Sequence, residues 1–562
     1  MLTTPDGFFW DGTCKIVLLN GWAKKLEAER RGTSEKPFIF AGMGKPTFRV
    51  NPHLVEMHIK YWKAIETSIQ QSSNPAYKEE EKSLAIDYGD SSGDSAPRTM
   101  MAKAMSAWYN STITADNILF TVGGAGALRL IFESFNLLYA PHDQRYRVIT
   151  PFPHYTLYAT NPKHILHPVD VMKEPGYRLT AKALEESIQS AYNLAKNDNC
   201  FPKAILICNP SNPLGTVITE DEWKDLAGVM RKYPDLHIVI DEAYAEMYWL
   251  DGKIPTVLNA ASDLMERLII LRSATKALSA AGERLAMLMT FSPDLMKLFR
   301  EKNISCILHA PRSAQLAYAY AMENFDEKEK AALKDYYLPK QKYIEKRVKE
   351  MGAAMPDASY QIDGTFYVLC DLQDIFGEEI PKEAQRALGK RTGKIQTSEE
   401  LIYSLLFKES LMVAAGSYFG LPENRGIIRI TCSGNERELK DMMDRLENCL
   451  FQARKRKAEM RTELSSREID YSEERKITES RPVEKENAQT IPEEKPEEQP
   501  KEEQGSPSII NLLEEWRKFV EDQFSSGPLK DSFLSLKDVD KMSFKPWVEH
   551  LNTLKSRKAI FS

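Results

Sequence analysis

The stretch Ala204-Ile205-Leu206-Ile207-Cys208-Asn209-Pro210-Ser211-Asn212-Pro213-Leu214-Gly215 decides the fold class. Its first five residues are apolar and read as a short buried strand. Two Asn-Pro steps then stop it. Each proline fixes its own φ and restricts the residue before it, so the strand ends in a rigid segment able to aim the Asn212 amide. A plain turn has the same composition. Working outward, the pattern recurs: Asn117–Val122, Arg147–Pro151, His237–Asp241 and Leu268–Leu271 are strand-like runs, each closed by turn or polar residues and followed by a helical pattern. Strands alternating with helices predict an α/β fold with a mainly parallel sheet and helices on both faces. Ligands bind such sheets outside the carboxyl ends of the strands, so the residues there are the candidate site.

Four of those strand ends carry chemistry. Gly123-Gly124-Ala125-Gly126 leads into a helical run from Ala127. A strand, then glycines, then a helix start presents free N–H groups to an anion such as phosphate, although a tight packing turn needs glycines too. Asp241-Glu242-Ala243-Tyr244 sets a carboxylate and a phenol three residues apart, able to flank one aromatic heterocycle. The acid also suits a solvated strand end or a helix cap. Arg272-Ser273-Ala274-Thr275-Lys276 brings a lysine to the sheet's ligand edge, with Gly282 and Arg284 beyond. That lysine is a Schiff-base candidate, or a solvated cation. Asn212 closes the set.

Composition limits the alternatives. The chain has 562 residues, 42% hydrophobic and 28% charged, as in an ordinary globular protein with a sizeable core. Lys+Arg 75 against Asp+Glu 81 gives a net charge of -6, which argues against a nucleic-acid partner. Met1–Lys15 lacks a signal-peptide pattern, and the best apolar run, Ile118–Leu138, is broken by Arg129 and Glu133, so no membrane span is expected. The seven cysteines form no C-x-x-C pair and read as reduced thiols of a cytoplasmic protein. The nine histidines show no metal spacing, so no metal is expected.

In their order along the chain, these motifs resemble fold-type I pyridoxal-phosphate (PLP) enzymes of the class I/II aminotransferase family, from about Ile16 to Leu450. Further matches are Tyr88 with Gly93 and Arg98, Pro151-Phe152-Pro153-His154-Tyr155, Gly364-Thr365-Phe366-Tyr367 and Gly426-Ile427-Ile428-Arg429-Ile430. The resemblance implies an aspartate aminotransferase-like large domain with a mainly parallel sheet and a smaller α+β domain. It implies pyridoxal 5'-phosphate as cofactor and a homodimer as the active unit. It also implies roles. Lys276 forms the imine with the cofactor aldehyde and carries the proton. Asp241 sits on the pyridine nitrogen, and Tyr244 and Asn212 on the ring 3-oxygen. Tyr155 stacks on the ring. The amides of Gly124 and Ala125, with Ser273 and Arg284, hold the phosphate, and Tyr88 reaches the phosphate of the neighbouring subunit. Arg429 grips the substrate α-carboxylate, with Gly44 of Gly42-Met43-Gly44-Lys45-Pro46 close by.

The chain departs from the family pattern at Ala125, Leu214, Glu283 and Lys45, and Phe376–Gln396 reads as an insertion before a helix at Ser398–Lys408. These departures bear on substrate identity more than on the cofactor. His154 reads as packing or support rather than as a base. The activity implied is amino transfer from an L-α-amino acid to a 2-oxo acid by a ping-pong mechanism. Elimination, cyclisation and decarboxylation use the same residues and stay open, as does a PLP-binding regulatory or secreted protein acting through its tail.

The expected organisation is an N-terminal arm with part of the small domain at 1–48, a large domain at 49–320 and the small domain at 321–455. A disordered charged linker at 456–505 and a helical tail at 506–562 complete it. In the tail Ile509, Leu512, Leu513, Trp516, Val520 and Phe524 share one helix face before Gly527 and Pro528, a pattern that suits a protein partner or a packed cap. Glu493–Gln504 resembles Glu-rich patches of bacterial type IV secretion substrates; as charge it is also an ordinary solvated linker.

Overall fold

Seven strands run side by side in the order Ile118–Val122, Leu285–Thr290, Leu268–Ser273, His237–Asp241, Pro202–Cys208, Tyr146–Phe152 and His164–Asp170. Leu285–Thr290 is antiparallel to both neighbours, and every other pairing is parallel. The structure, a computed structural model, describes residues 2–8, 14–33, 36–72, 86–389 and 393–479, with side chains of the last helix to residue 462.

Both faces of this sheet are covered, which is why its strands are apolar at successive positions rather than at alternate ones. On one face Val239, Ile269, Leu271 and Leu288 pack against Leu128, Ile131 and Phe135 of helix Gly123–Tyr139 and Phe299 of helix Pro293–Cys306. On the other, Ile238, Ile240, Leu268 and Ile270 meet helices Ser95–Tyr109, Ala181–Asp198, Glu220–Arg231 and Arg312–Glu323. Helix Glu220–Arg231 starts where its sequence dictates. Thr219 and Glu222 form a reciprocal capping box, and Trp223, Leu226 and Met230 form its buried stripe. Such a cap contributes about 1 kcal/mol, so burial of the three large side chains holds the helix in place more strongly than its cap does.

A second core joins helix Lys15–Glu29, helix Glu327–Glu350, helix Ser398–Glu409 and the antiparallel strands Ala414–Ala415, Ile427–Thr431 and Tyr367–Asp371. Ile39–Phe40 pairs in parallel with Leu411–Met412, tying the N-terminal arm to this layer. Tyr244, Met247 and Trp249 of the large-sheet side are buried in this second core, so the ends of the large-sheet strands lie against it.

The five strands expected from the sequence are present: three are longer by one or two residues at an end, His237–Asp241 has the expected bounds, and the first starts one residue later, at Ile118. Two more were not expected: the edge strand His164–Asp170 and the antiparallel Leu285–Thr290. Within the expected insertion, helix Lys382–Leu388 buries Ala384, Ala387 and Leu388, and Ala387 accepts a backbone hydrogen bond of 2.9 Å from Thr3. The boundary expected at 455 is crossed by helix Glu436–Glu479, which continues into the segment read as disordered linker. Lys, Arg and Glu are good helix formers and pair at helical spacing, as Lys455 does with Glu459 at 3.9 Å. The chain divides into units Met1–Glu473 and Glu474–Ser562. The rest of the expected linker, the Glu-rich patch and the tail at 506–562 lie outside the described residues. Among the described residues no helix is long and apolar enough to cross a membrane.

Candidate functional site

Asp241 ends its strand directly beside Cys208, its partner in the register, and is buried. Its Oδ1 accepts from the Ala243 amide at 3.1 Å, and its Oδ2 accepts from the Tyr158 hydroxyl at 2.7 Å. Burial pushes the carboxyl pKa up, against the pull of those two donors and of the Lys276 charge.

Lys276 follows the neighbouring strand Leu268–Ser273. It is partly buried, and its Nζ donates to the Gly44 carbonyl. Burial and the charges of Arg429 and Arg284, against an opposing pull from Asp241, bring the amine down to about 7. An ordinary lysine near ~10.4 is an ammonium at neutral pH, whereas this one holds a large neutral fraction there.

Arg429 is buried on strand Ile427–Thr431. Nη1 donates to Asn212 Oδ1 at 2.9 Å and Nη2 to the Gly42 carbonyl at 2.6 Å. The guanidinium lies 4.0 Å from the Tyr367 ring centre and 4.6 Å from that of Phe419. Its Nε has no hydrogen-bond partner among the described residues. A buried cation held at two corners, with a donor left over, is built to receive an anion. Gly44 closes this corner. A Cβ there would overlap the Tyr367 hydroxyl and stand 3.4 Å from Lys276 Nζ, so the backbone approaches as only glycine permits. Tyr244 pairs its hydroxyl with that of Tyr367 at 2.6 Å, and its ring centre lies 5.6 Å from Lys276 Nζ.

A second anion corner lies at the start of helix Gly123–Tyr139, where the first backbone N–H groups have no helical partner. Arg284 approaches it so closely that a Cβ on Gly123 would be 2.8 Å from its Nη2. Arg284 holds a left-handed φ of 53 and donates to the Ala281 carbonyl at 3.1 Å. Ser273 is buried, and its hydroxyl meets that of Thr275 at 2.7 Å. Gly124 and Ala125 occupy the first turn of the helix, with Leu271 3.7 Å from a Cβ on Gly124.

The structure thus brings together Lys276, Asp241, Tyr244, Asn212, Arg429 and Gly44, with Gly124, Ala125, Ser273 and Arg284 at the helix start. Tyr155 joins the first group, and its hydroxyl feels the charges of Asp241 and Arg429. Tyr88 stands apart. It is 80% exposed, with its ring edge-on to His309 at 6.1 Å. His154 is buried and its ring is stacked on that of Tyr158 at 6.2 Å. Burial pushes its pKa down, so it stays neutral at pH 7.

Sequence reasoning missed three residues. Tyr158 supplies the hydroxyl on Asp241; the only sign was its place three residues after Tyr155. Tyr367 stood inside a quoted motif without a role, and Thr275 inside the lysine motif.

The chain matches the profile of the family described as aminotransferase class I and II over residues 63–446. It is 25% identical over 441 residues to an aspartate aminotransferase of Streptomyces avermitilis, covering 77% of this chain and 92% of that protein. It is 27% identical over 344 residues to a probable aspartate/prephenate aminotransferase of Rickettsia felis, covering 59% and 74%. In fold it resembles the aspartate aminotransferase from Rhizobium meliloti, with a TM-score of 0.60 at 19% identity over 79% of this chain and 99% of that one. The aromatic aminotransferase from Pyrococcus horikoshii gives a TM-score of 0.58 at 20% identity over 76% and 99%.

Proposed function

The chain belongs to the aminotransferase class I and II family, and on that premise we propose that it moves the amino group of an L-α-amino acid to a 2-oxo acid in two half-reactions at one site. One observation carries the reading: an amine brought down to about 7, a buried carboxylate and a buried guanidinium with a spare donor converge on one corner. The family uses pyridoxal 5'-phosphate, and the residues present suit that group: a lysine, an acid and an anion corner of the right kinds. When bound, the cofactor supplies an electron sink for the bond broken at the substrate Cα.

The chain's own residues would do the rest. Lys276 would hold the cofactor aldehyde through its neutral amine and would be the group that carries a proton to and from the substrate Cα. Asp241 keeps the pyridine nitrogen protonated, and the Tyr158 hydrogen bond fixes the carboxylate in place. Tyr244 and Asn212 contact the ring oxygen, and Tyr155 the ring face. The first-turn amides of Gly124 and Ala125, with Ser273, Thr275 and Arg284, take the phosphate. Arg429 receives the α-carboxylate in a fork that lysine could not match, with Gly44 beside it.

A homodimer belongs to the same proposal. Tyr88 is exposed, as are Val55, Ile59 and Trp62 of helix Pro52–Ser72, and a second copy covering them would bring Tyr88 to its neighbour's phosphate. A cytoplasmic location also belongs to it, supported by seven free cysteines. The names of the two relatives make aspartate the first donor to try. The test is to give the PLP-reconstituted protein labelled aspartate and 2-oxoglutarate. Label in glutamate supports amino transfer; release of ammonia or carbon dioxide instead moves the reading to elimination or decarboxylation.

A further inference from the structure

Behind the strand ends lies a buried charge cluster that has no part in the chemistry proposed for the site. Arg272, one residue before Ser273, is fully buried. Its Nη2 is paired with the Glu246 carboxylate, and its Nη1 is 3.5 Å from Glu242 Oε2 and 3.2 Å from the Tyr109 hydroxyl, to which it donates. Tyr109 in turn donates to Glu242. The Trp108 ring centre lies 4.4 Å from the guanidinium carbon. Glu242 follows Asp241 directly, and both Glu242 and Glu246 are buried.

This cluster is poorly explained as a stabilising device. Taking ions out of water is costly, and apolar replacements of buried ion groups are often neutral or better. Here one cation faces two carboxyl groups, so their charges cancel only when one of the two holds a proton. Its position is what distinguishes it. Trp108 and Tyr109 end helix Ser95–Tyr109, Glu242 and Glu246 follow strand His237–Asp241, and Arg272 lies on strand Leu268–Ser273. Asp241 and Ser273 are one residue away along their own strands.

We propose that Arg272, with Glu242, Glu246 and Tyr109, is a positioning cluster that ties these two strand ends together and so sets Asp241 against Ser273 and Lys276; it rests on the proposal that the site holds pyridoxal 5'-phosphate. A cofactor ring and its phosphate are a fixed distance apart, so the two strand ends that receive them must be held at a fixed separation. Without Arg272, two carboxylates face each other in a dry core and must separate or take up protons. Either event reaches Asp241 through the backbone. The groups facing Glu242 are Arg272, Tyr109, Glu246 and Asp241, with Tyr318 of helix Arg312–Glu323 facing Arg272 and Glu246. Burial brings Glu242 up to about 7, so its charge changes near neutral pH, one residue from Asp241.

The test uses the full chain, stripped of cofactor and titrated with pyridoxal 5'-phosphate, as wild type, Arg272→Gln, Glu242→Gln and the double variant. Affinity and the pH midpoint of the bound cofactor's visible absorption are both read. Arg272→Gln should weaken binding by about tenfold or more, and the double variant should recover most of that loss. Glu242→Gln alone should keep affinity within about threefold while moving the pH midpoint. Arg272→Gln indistinguishable from wild type, or a double variant no better than Arg272→Gln, would overturn the proposal. If Arg272→Gln does not fold, an unmoved midpoint in Glu242→Gln overturns it alone. Wild-type protein that takes up no cofactor would instead sink the functional reading and this proposal with it, a result distinct from indifferent variants of a cofactor-binding wild type.

Discussion

The Tyr158 hydroxyl donates to Asp241 Oδ2 at 2.7 Å, and both side chains are buried. A buried carboxylate is costly unless its lone pairs are met, so this phenol, with the Ala243 amide and the Lys276 charge, favours the ionised form of Asp241 against the effect of burial. The ring of His154 lies nearly parallel to that of Tyr158, with the ring centres 6.2 Å apart.

Tyr158→Phe removes that donor and should raise the Asp241 pKa further, because burial already pushes it up and Tyr158 pulls it down. Asp241 would then lose its charge at a higher pH. The acid limb of the pH–rate profile should move to higher pH, with kcat down by about tenfold and little change in KM. An acid limb that stays in place would show that Asp241 does not set it.

Gly44→Ala places a methyl group on the Tyr367 hydroxyl and near Lys276. Overpacking of this kind costs about 1–3 kcal/mol, and here it falls on the Tyr244–Tyr367 pair. The expected result is a lower Tm, with weakened cofactor binding that Tyr367→Phe in the same chain partly restores. Equal Tm and affinity for wild type and Gly44→Ala would contradict the geometry of this corner.

Lys276 predicts a pH dependence of stability in the cofactor-free protein. Its folded pKa is about 7 and its unfolded pKa is near ~10.4, so between those values the unfolded chain binds more protons. Stability should therefore rise with pH across that window and gain nothing from this group below it. Denaturant melts of wild type and Lys276→Met at several pH values measure the difference. Parallel curves for the two proteins would show that the amine is not held neutral.

Much of this was legible because the informative residues stand at the ends of apolar runs. Asp241, Lys276, Asn212 and the Gly123–Ala125 turn each follow a strand that periodicity alone can find. The strand Leu285–Thr290 was not found, since its methionines and alanine carry little strand signal. The edge strand His164–Asp170 contains Pro168 and two histidines and is buried only irregularly, so it does not read as a buried run. Tyr158 and Tyr367 were missed for a different reason. Their partners lie 83 and 123 residues away in the chain, and no local pattern announces a contact made only by the fold. Arg272 read as a polar strand end because its two carboxylates come together around it only in the packed structure. The helix Glu436–Glu479 runs past the boundary expected at 455, because Lys, Arg and Glu form helices well and composition alone does not mark where such a helix stops.

Everything proposed for the site depends on Lys276 holding pyridoxal 5'-phosphate and cycling it between two substrates. The measurement that bears on this without intermediaries is the visible absorption of the reconstituted protein before and after adding L-amino acids, then 2-oxo acids, with Lys276→Ala alongside. We expect a yellow protein that bleaches with an amino acid and regains its colour with an oxo acid, and a Lys276→Ala protein that does neither. A wild type that takes up no cofactor, or a Lys276→Ala protein that cycles like it, would show that Lys276 does not have this role.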